Sequence, residues 1–190
     1  MKHIVKLISK SVEKKESDEI FISLERIESW TGRFNLEIGS DEIESGVKKF
    51  QNRDILFGRL RPYLAKVAMP CVKGVCGSEL LVLRPPKYIF SDYFKYLLLN
   101  EAIINLIDSS TFGSKMPRAS WDFIGQIHIP LLHISEQYRV VNYIETQTAT
   151  IDQAIQKAEK EITLVKEYLQ SIIYHVVIGK LEIKDLKRVK

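Results

Sequence analysis

The rhythm of hydrophobic positions changes once along this chain. Before Ser135 the apolar residues come in short runs punctuated by Gly and Pro, whereas from Ser135 onward neither residue occurs until Gly179. Within that second stretch Ile144, Thr148, Ile151, Ile155, Ala158, Ile162, Val165, Leu169, Ile172 and Val176 are spaced alternately by four and three residues. A repeat of about 3.5 residues keeps one seam facing a partner helix as the pair supercoils, so the spacing predicts a long coiled-coil helix. Ser135 is expected to cap its start, Glu136 to favour its first turn, and Gly179 to end it in a left-handed conformation. At about 1.5 Å per residue the helix would run roughly 60 Å and project beyond a small domain. The competing arrangement lays it flat on its own domain, since heptads also occur in bundles. Glu145, Asp152, Glu159 and Glu161 flank the early seam, and Tyr168 and Ile173 widen the apolar face later.

Upstream, the pattern predicts strands near Ile20 to Ile22, Asp54 to Phe57, Leu64 to Met69, Glu79 to Leu83 and Gln126 to Ile129. The stretch Ser91 to Asp108 reads as one helix capped by Ser91, with Phe94, Leu97, Leu98, Ile103, Ile104 and Ile107 on its apolar faces. The expected fold is therefore α+β: a mixed domain followed by one long C-terminal helix. No segment is repeated.

Composition narrows this only a little. The 190 residues suit one ordinary domain plus an appendage, and 45% hydrophobic with 27% charged residues is a globular balance. Lys and Arg number 28 against 24 acids, and the formal charge of +4 permits a nucleic-acid partner without demanding one. Cys71 and Cys76 read as reduced structural thiols, because no second pair completes a metal site. The N-terminal residues do not resemble a signal peptide and no run approaches about 18 apolar residues, so a soluble, cytoplasmic protein is expected.

Catalytic constellations are missing. Pro85-Pro86 lies between Arg84 and Lys87, unlike the base-holding turn of a DNA methyltransferase. Gly74 to Gly77 lacks the Lys-Ser/Thr of a phosphate loop, and His3, His128, His133 and His175 are dispersed. No catalytic residue and no metal ligand is assigned.

Two segments do combine cations, small residues and aromatics: Phe57-Gly58-Arg59-Leu60-Arg61-Pro62-Tyr63-Leu64-Ala65-Lys66 and Thr111 to Trp121. An arginine fork can pair with guanine O6 and N7 or bridge phosphates, lysine acts mainly as a mobile point charge, and Gly or Ser lets the main chain come close. Arg59, Arg61, Lys66, Ser114, Lys115 and Arg118 are accordingly the candidate DNA-contacting residues, with Lys66 and Lys115 directed to phosphates. The plainer alternative is that Arg59 and Arg61 pair with local acids while Phe112 and Trp121 belong to the core.

Taken in order, Ile27-Glu28-Ser29-Trp30-Thr31-Gly32, Arg53 to Leu64 and Gly77 to Pro85 resemble successive strands and turns of the target-recognition domain of type I restriction-modification specificity subunits. Phe112 to Pro130 resembles the exit from that domain. Ser135-Glu136-Gln137 resembles the start of the family's spacer helix, and Val177 to Leu181 its ending. The stretch Ile129 to Ile134 lacks the extra prolines of the family pattern. Family members usually carry two recognition domains and two spacer helices, and here each occurs once.

The resemblance implies a half-length subunit: a DNA-binding domain over residues 1–134, a spacer and dimerisation helix over 135–179 and a tail over 180–190. It implies no cofactor on this chain. Its partners would be double-stranded DNA, methyltransferase subunits carrying S-adenosylmethionine, and restriction subunits using ATP and Mg that join through the methyltransferase. A second copy would pair through the helix seam to read a bipartite site. The alternative is a non-catalytic coiled-coil protein acting as a decoy or regulator of a restriction complex.

Overall fold

A computed structural model describes residues 1–9, 11–12, 19–35, 46–111 and 115–180. Two compact units are distinguished, Met1–Val141 and Asn142–Lys190.

The first unit is built on two four-stranded sheets. One has the order β1 (Lys6–Ile8), β8 (Leu80–Arg84), β5 (Ile55–Gly58), β6 (Val67–Ala68) and is antiparallel throughout. The other runs β2 (Ser11–Val12), β4 (Val47–Phe50), β7 (Gly74–Cys76), β3 (Ile20–Ile22), with β3 parallel to β7.

Alternation along β5 and β8 sends side chains to two cores. Ile55, Phe57, Leu81 and Leu83 join Phe94, Leu98, Ile104 and Ile107 of the helices. Leu56, Leu80 and Val82 join Ile22, Phe50 and Cys76 of the second sheet. A strand covered on both faces must be apolar at every position, which is why these two are the plainest strands in the sequence. Gly74 is required by the parallel pairing, because a Cβ there would lie 2.4 Å from the Ile20 carbonyl oxygen.

The α+β class holds, and five details differ from the sequence reading. The stretch read as one helix is two, α1 (Ser91–Leu98) and α2 (Glu101–Ser109). Asn100 caps α2 by accepting from the backbone N–H groups of Ala102 and Ile103. Ser91 is itself the first helical residue and caps nothing. The expected strand Leu64 to Met69 shrinks to β6, because a short 3₁₀ turn at Pro62–Leu64 and left-handed Ala65 precede it.

Gln126 to Ile129 is irregular. It follows α3 (Trp121–Ile124), and the Met1 amino group donates to the carbonyls of Gly125 and Ile127, fastening this stretch to the N-terminus instead of to a sheet. Finally, α4 spans Ile134–Val177. Ser135 does not cap it: its hydroxyl is engaged by His133 Nδ1 at 2.8 Å, and the His133 carbonyl accepts the first helical bond, from Gln137.

The second unit is the remainder of α4. Gly179 ends the helix with φ 72°, and the bonds Gly179 N to Val176 O and Lys180 N to His175 O close a Schellman turn. Among the seam residues Ile151, Ile155, Ile162, Val165 and Leu169 are exposed, as are Leu164, Tyr168, Ile173 and Tyr174 beside them. No helix of the described residues is long and apolar enough to cross a membrane.

Candidate nucleic-acid interface

The two cationic segments meet. After β5 the chain stays extended through Arg59 and Leu60, and Leu60 forms an antiparallel bridge with Arg118. Ala119 N donates to Arg59 O and Arg61 N to Pro117 O, both at 2.8 Å, while Arg59 N donates to Glu79 O at 2.9 Å. Residues distant in sequence thus form one backbone ladder that carries Arg59, Arg61 and Arg118. Lys115 is exposed two residues before Pro117. Ser114, Phe112 and Gly113 lie outside the described residues.

The backbone around this ladder is strained. Arg61 (φ 50°), Ala65 (φ 45°) and Trp30 (φ 67°) adopt left-handed conformations without being glycine. Each costs on the order of 1 kcal/mol and is held by surrounding bonds, including Trp30 N to Ala65 O at 3.2 Å. The strained turn sets Arg61 in solvent and leaves Trp30 and Tyr63 43% and 44% exposed. Exposed aromatics beside cations suit stacking on bases or sugars.

The cations differ in their surroundings. Arg118 donates Nε and Nη2 to the Glu79 carboxylate at 3.0–3.2 Å, and this hydrogen bonding holds its guanidinium above the usual arginine range. Arg59 Nε lies 3.9 Å from the same carboxylate, shielded from water and without an acceptor among the described residues. Arg61 has no side-chain partner among the described residues. Lys66 is half-buried and donates to the Leu24 carbonyl at 2.9 Å.

Glu79 and Lys48 were not singled out by the sequence. The Lys48 ammonium donates to the carbonyls of Ser78 and Leu80, gripping the turn on both sides of Glu79. Burial, first among the causes, pushes its pKa down. Beneath it Cys76 is buried, and desolvation pushes its thiol up to about 12. The plainer reading of the arginines therefore holds in part: Arg59 faces a local acid, Arg61 has none among the described residues, and Trp121 packs half-buried against the helix core.

A second arginine cluster lies elsewhere in this unit. Asp54 is 2% exposed and accepts both Nε and Nη2 of Arg84 at 2.6 Å, together with the backbone N–H of Gln51. Arg53 pairs with Asp92 and sits 5.1 Å over the Phe90 ring. Arg53, Asp54, Arg84 and Phe90 line a cavity of about 390 Å³ with Pro85, Pro86, Lys87 and Tyr138. Among the described residues no three His, Cys, Asp or Glu side chains converge to hold a cation.

No family model matches the chain. It is 24% identical over 164 residues to the type I restriction enzyme EcoDI specificity subunit of Escherichia coli, covering 85% of this chain and 36% of that protein. It is 27% identical over 106 residues to the EcoKI specificity subunit of Escherichia coli strain K12, covering 56% and 22%. Among solved structures, the HsdS subunit from Thermoanaerobacter tengcongensis superimposes with a TM-score of 0.60, 18% identity and coverage of 78% and 41%. A chain from a structure describing assembly and conformational transition of the type I R-M system gives 0.70, 16%, 92% and 47%. The chain is a relative of type I restriction enzyme specificity subunits.

It spans about a third of the length of the EcoDI subunit that it matches. In the chain itself the segments that carry the resemblance have definite places. Ile27 to Gly32 forms the turn holding Trp30, Arg53 to Leu64 supplies the loop before β5 through to the 3₁₀ turn, and Gly77 to Pro85 supplies the Glu79 turn and β8. All three border the ladder or its supporting network.

Proposed function

We propose that this chain reads duplex DNA as the half-length specificity subunit of a type I restriction-modification complex. The observation that carries the reading is the meeting of the two cationic segments in one ladder, with Arg59, Arg61 and Arg118 beside exposed Trp30 and Tyr63. Its kinship with specificity subunits points the same way. On this reading residues 1–134 form the target-recognition domain, residues 135–179 the spacer helix and residues 180–190 a tail. Arg59, Arg61 and Arg118 contact base edges, Ser114 assists, and Lys66 and Lys115 meet phosphates.

The seam from Ile144 to Val176, exposed over its middle, takes a second copy of the chain. Two identical domains then read two half-sites separated by unread base pairs, and twofold symmetry makes the site palindromic and interrupted. The subunit works in the cytoplasm and performs no chemistry. Methyltransferase subunits dock on it and bring S-adenosylmethionine, and restriction subunits with ATP and Mg join through them.

The test is to mix the chain with its methyltransferase subunit, expose genomic DNA and sequence the modified adenines. A split palindrome is expected, and Ile155→Asp with Ile162→Asp abolishes both dimer and methylation. An asymmetric motif overturns the homodimer. Absence of methylation, together with no salt-dependent binding to duplex DNA, favours the decoy or regulator reading instead.

A further inference from the structure

The cluster around Glu79 carries more than an ion pair, and its further role rests on the proposed DNA-reading function. Arg118 spends Nε and one Nη2 hydrogen on the carboxylate. Its other edge, which presents Nη1 and the second Nη2 hydrogen, has no partner among the described residues, on a side chain that is 42% exposed. That edge is the planar two-donor fork that matches guanine O6 and N7 in the major groove.

The turn that carries the carboxylate is itself held. Lys48 grips the carbonyls on either side of Glu79, and the Glu79 carbonyl accepts from Arg59 N–H. A free arginine on a surface would swing toward the nearest phosphate. An arginine held along one edge by a carboxylate is oriented before it binds, and the adjoining negative charge repels phosphate. Arg59, with Nε shielded at 3.9 Å from the same carboxylate, adds a second positive charge beside Glu79.

We infer that Glu79 is a positioning residue for specificity: it holds Arg118 to read a guanine and suppresses phosphate-led binding to unrelated DNA. Selection from a random duplex library by the full-length chain tests this. Wild type yields a motif in which Arg118→Ala and Glu79→Ala lose enrichment of the same guanine, while the other positions persist. Glu79→Ala also binds random duplex several-fold more tightly at low salt, whereas a merely structural role would lower cognate and random binding alike. Glu79→Gln keeps the size and one acceptor and gives an intermediate loss, and thermal melting of each variant reports whether it folds.

A wild-type motif that Glu79→Ala retains in full overturns the inference alone. Loss of a different position from the one that Arg118→Ala loses does the same. Failure of the folded wild-type chain to bind duplex DNA at all overturns the DNA-reading function, and this inference with it.

Discussion

Asp54 and Glu79 each hold an arginine by its Nε–Nη2 edge, yet the two clusters are built for different ends. Asp54 is buried at the head of β5, takes Arg84 from the end of β8 and also satisfies Gln51 N–H. Acid and arginine are matched one to one there, and the antiparallel register of Ile55 with Leu83 brings them side by side. Glu79 stands on a turn, partly in solvent, and one carboxylate faces two arginines. The first cluster spends its donors on the fold. The second leaves cations in excess and an arginine edge in water, which is what a surface needs if it is to exchange water for a ligand. Pair chemistry is the same in both places, so burial and stoichiometry decide the role.

The largest effect on stability is expected at the buried cluster. Asp54→Ala removes a buried acceptor for three N–H groups, and should lower unfolding free energy by roughly 2–3 kcal/mol. Arg84 is about one-third exposed and can recover some hydration, which keeps the loss below that of a fully enclosed pair. Urea unfolding measures it. The same measurement on Glu79→Ala should show a midpoint unchanged within error, because exposed pairs contribute little. Equal losses at the two sites would erase the distinction drawn between them.

Lys48 comes next, since it ties the Glu79 turn to the sheet. Lys48→Met keeps the aliphatic stem and removes two hydrogen bonds to carbonyls. The burial that lowers the Lys48 pKa already opposes the charge, so the net loss is about 1 kcal/mol. It should also blur the guanine preference without changing the Arg118 side chain itself, which library selection would detect. Unaltered selectivity would mean that the turn holds its shape without the lysine.

Much of this architecture was legible in the sequence, and the parts that were not have physical reasons. Strands β5 and β8 stood out because both faces are buried, and α4 because its apolar spacing persists from Ile144 to Val176. Short strands such as β2 and β7 gave no period to read. The break at Asn100 was missed because apolar residues continue on both sides of it, although Asn followed by Glu is a helix-start signal. The cationic segments were visible as composition. Their meeting was not, since a bridge between Leu60 and Arg118 depends on tertiary pairing. Glu79 was hidden for the same reason: an acid in a turn acquires meaning only from the two arginines and the lysine that the fold brings to it.

The smallest effect expected concerns Cys76, which lies under the Lys48–Glu79 turn and reports whether that turn opens. Exposed Cys71 should react promptly with a thiol reagent near neutral pH, while Cys76 reacts only through opening. Burial raises the Cys76 pKa from 9.0 to about 12, so between those values the unfolded chain ionises the thiol and the folded chain does not. The unfolded state then binds fewer protons, and stability falls as pH rises through that window. Lys48, displaced downward, contributes a slope of opposite sign, and Cys76→Ala isolates the thiol's share. Glu79→Ala should leave Cys76 as protected as in wild type, because the carboxylate orients an arginine and does not hold the turn. Lys48→Met should speed its labelling several-fold. Faster labelling in Glu79→Ala would make the carboxylate part of the fold, and the contrast with Asp54 would become one of degree.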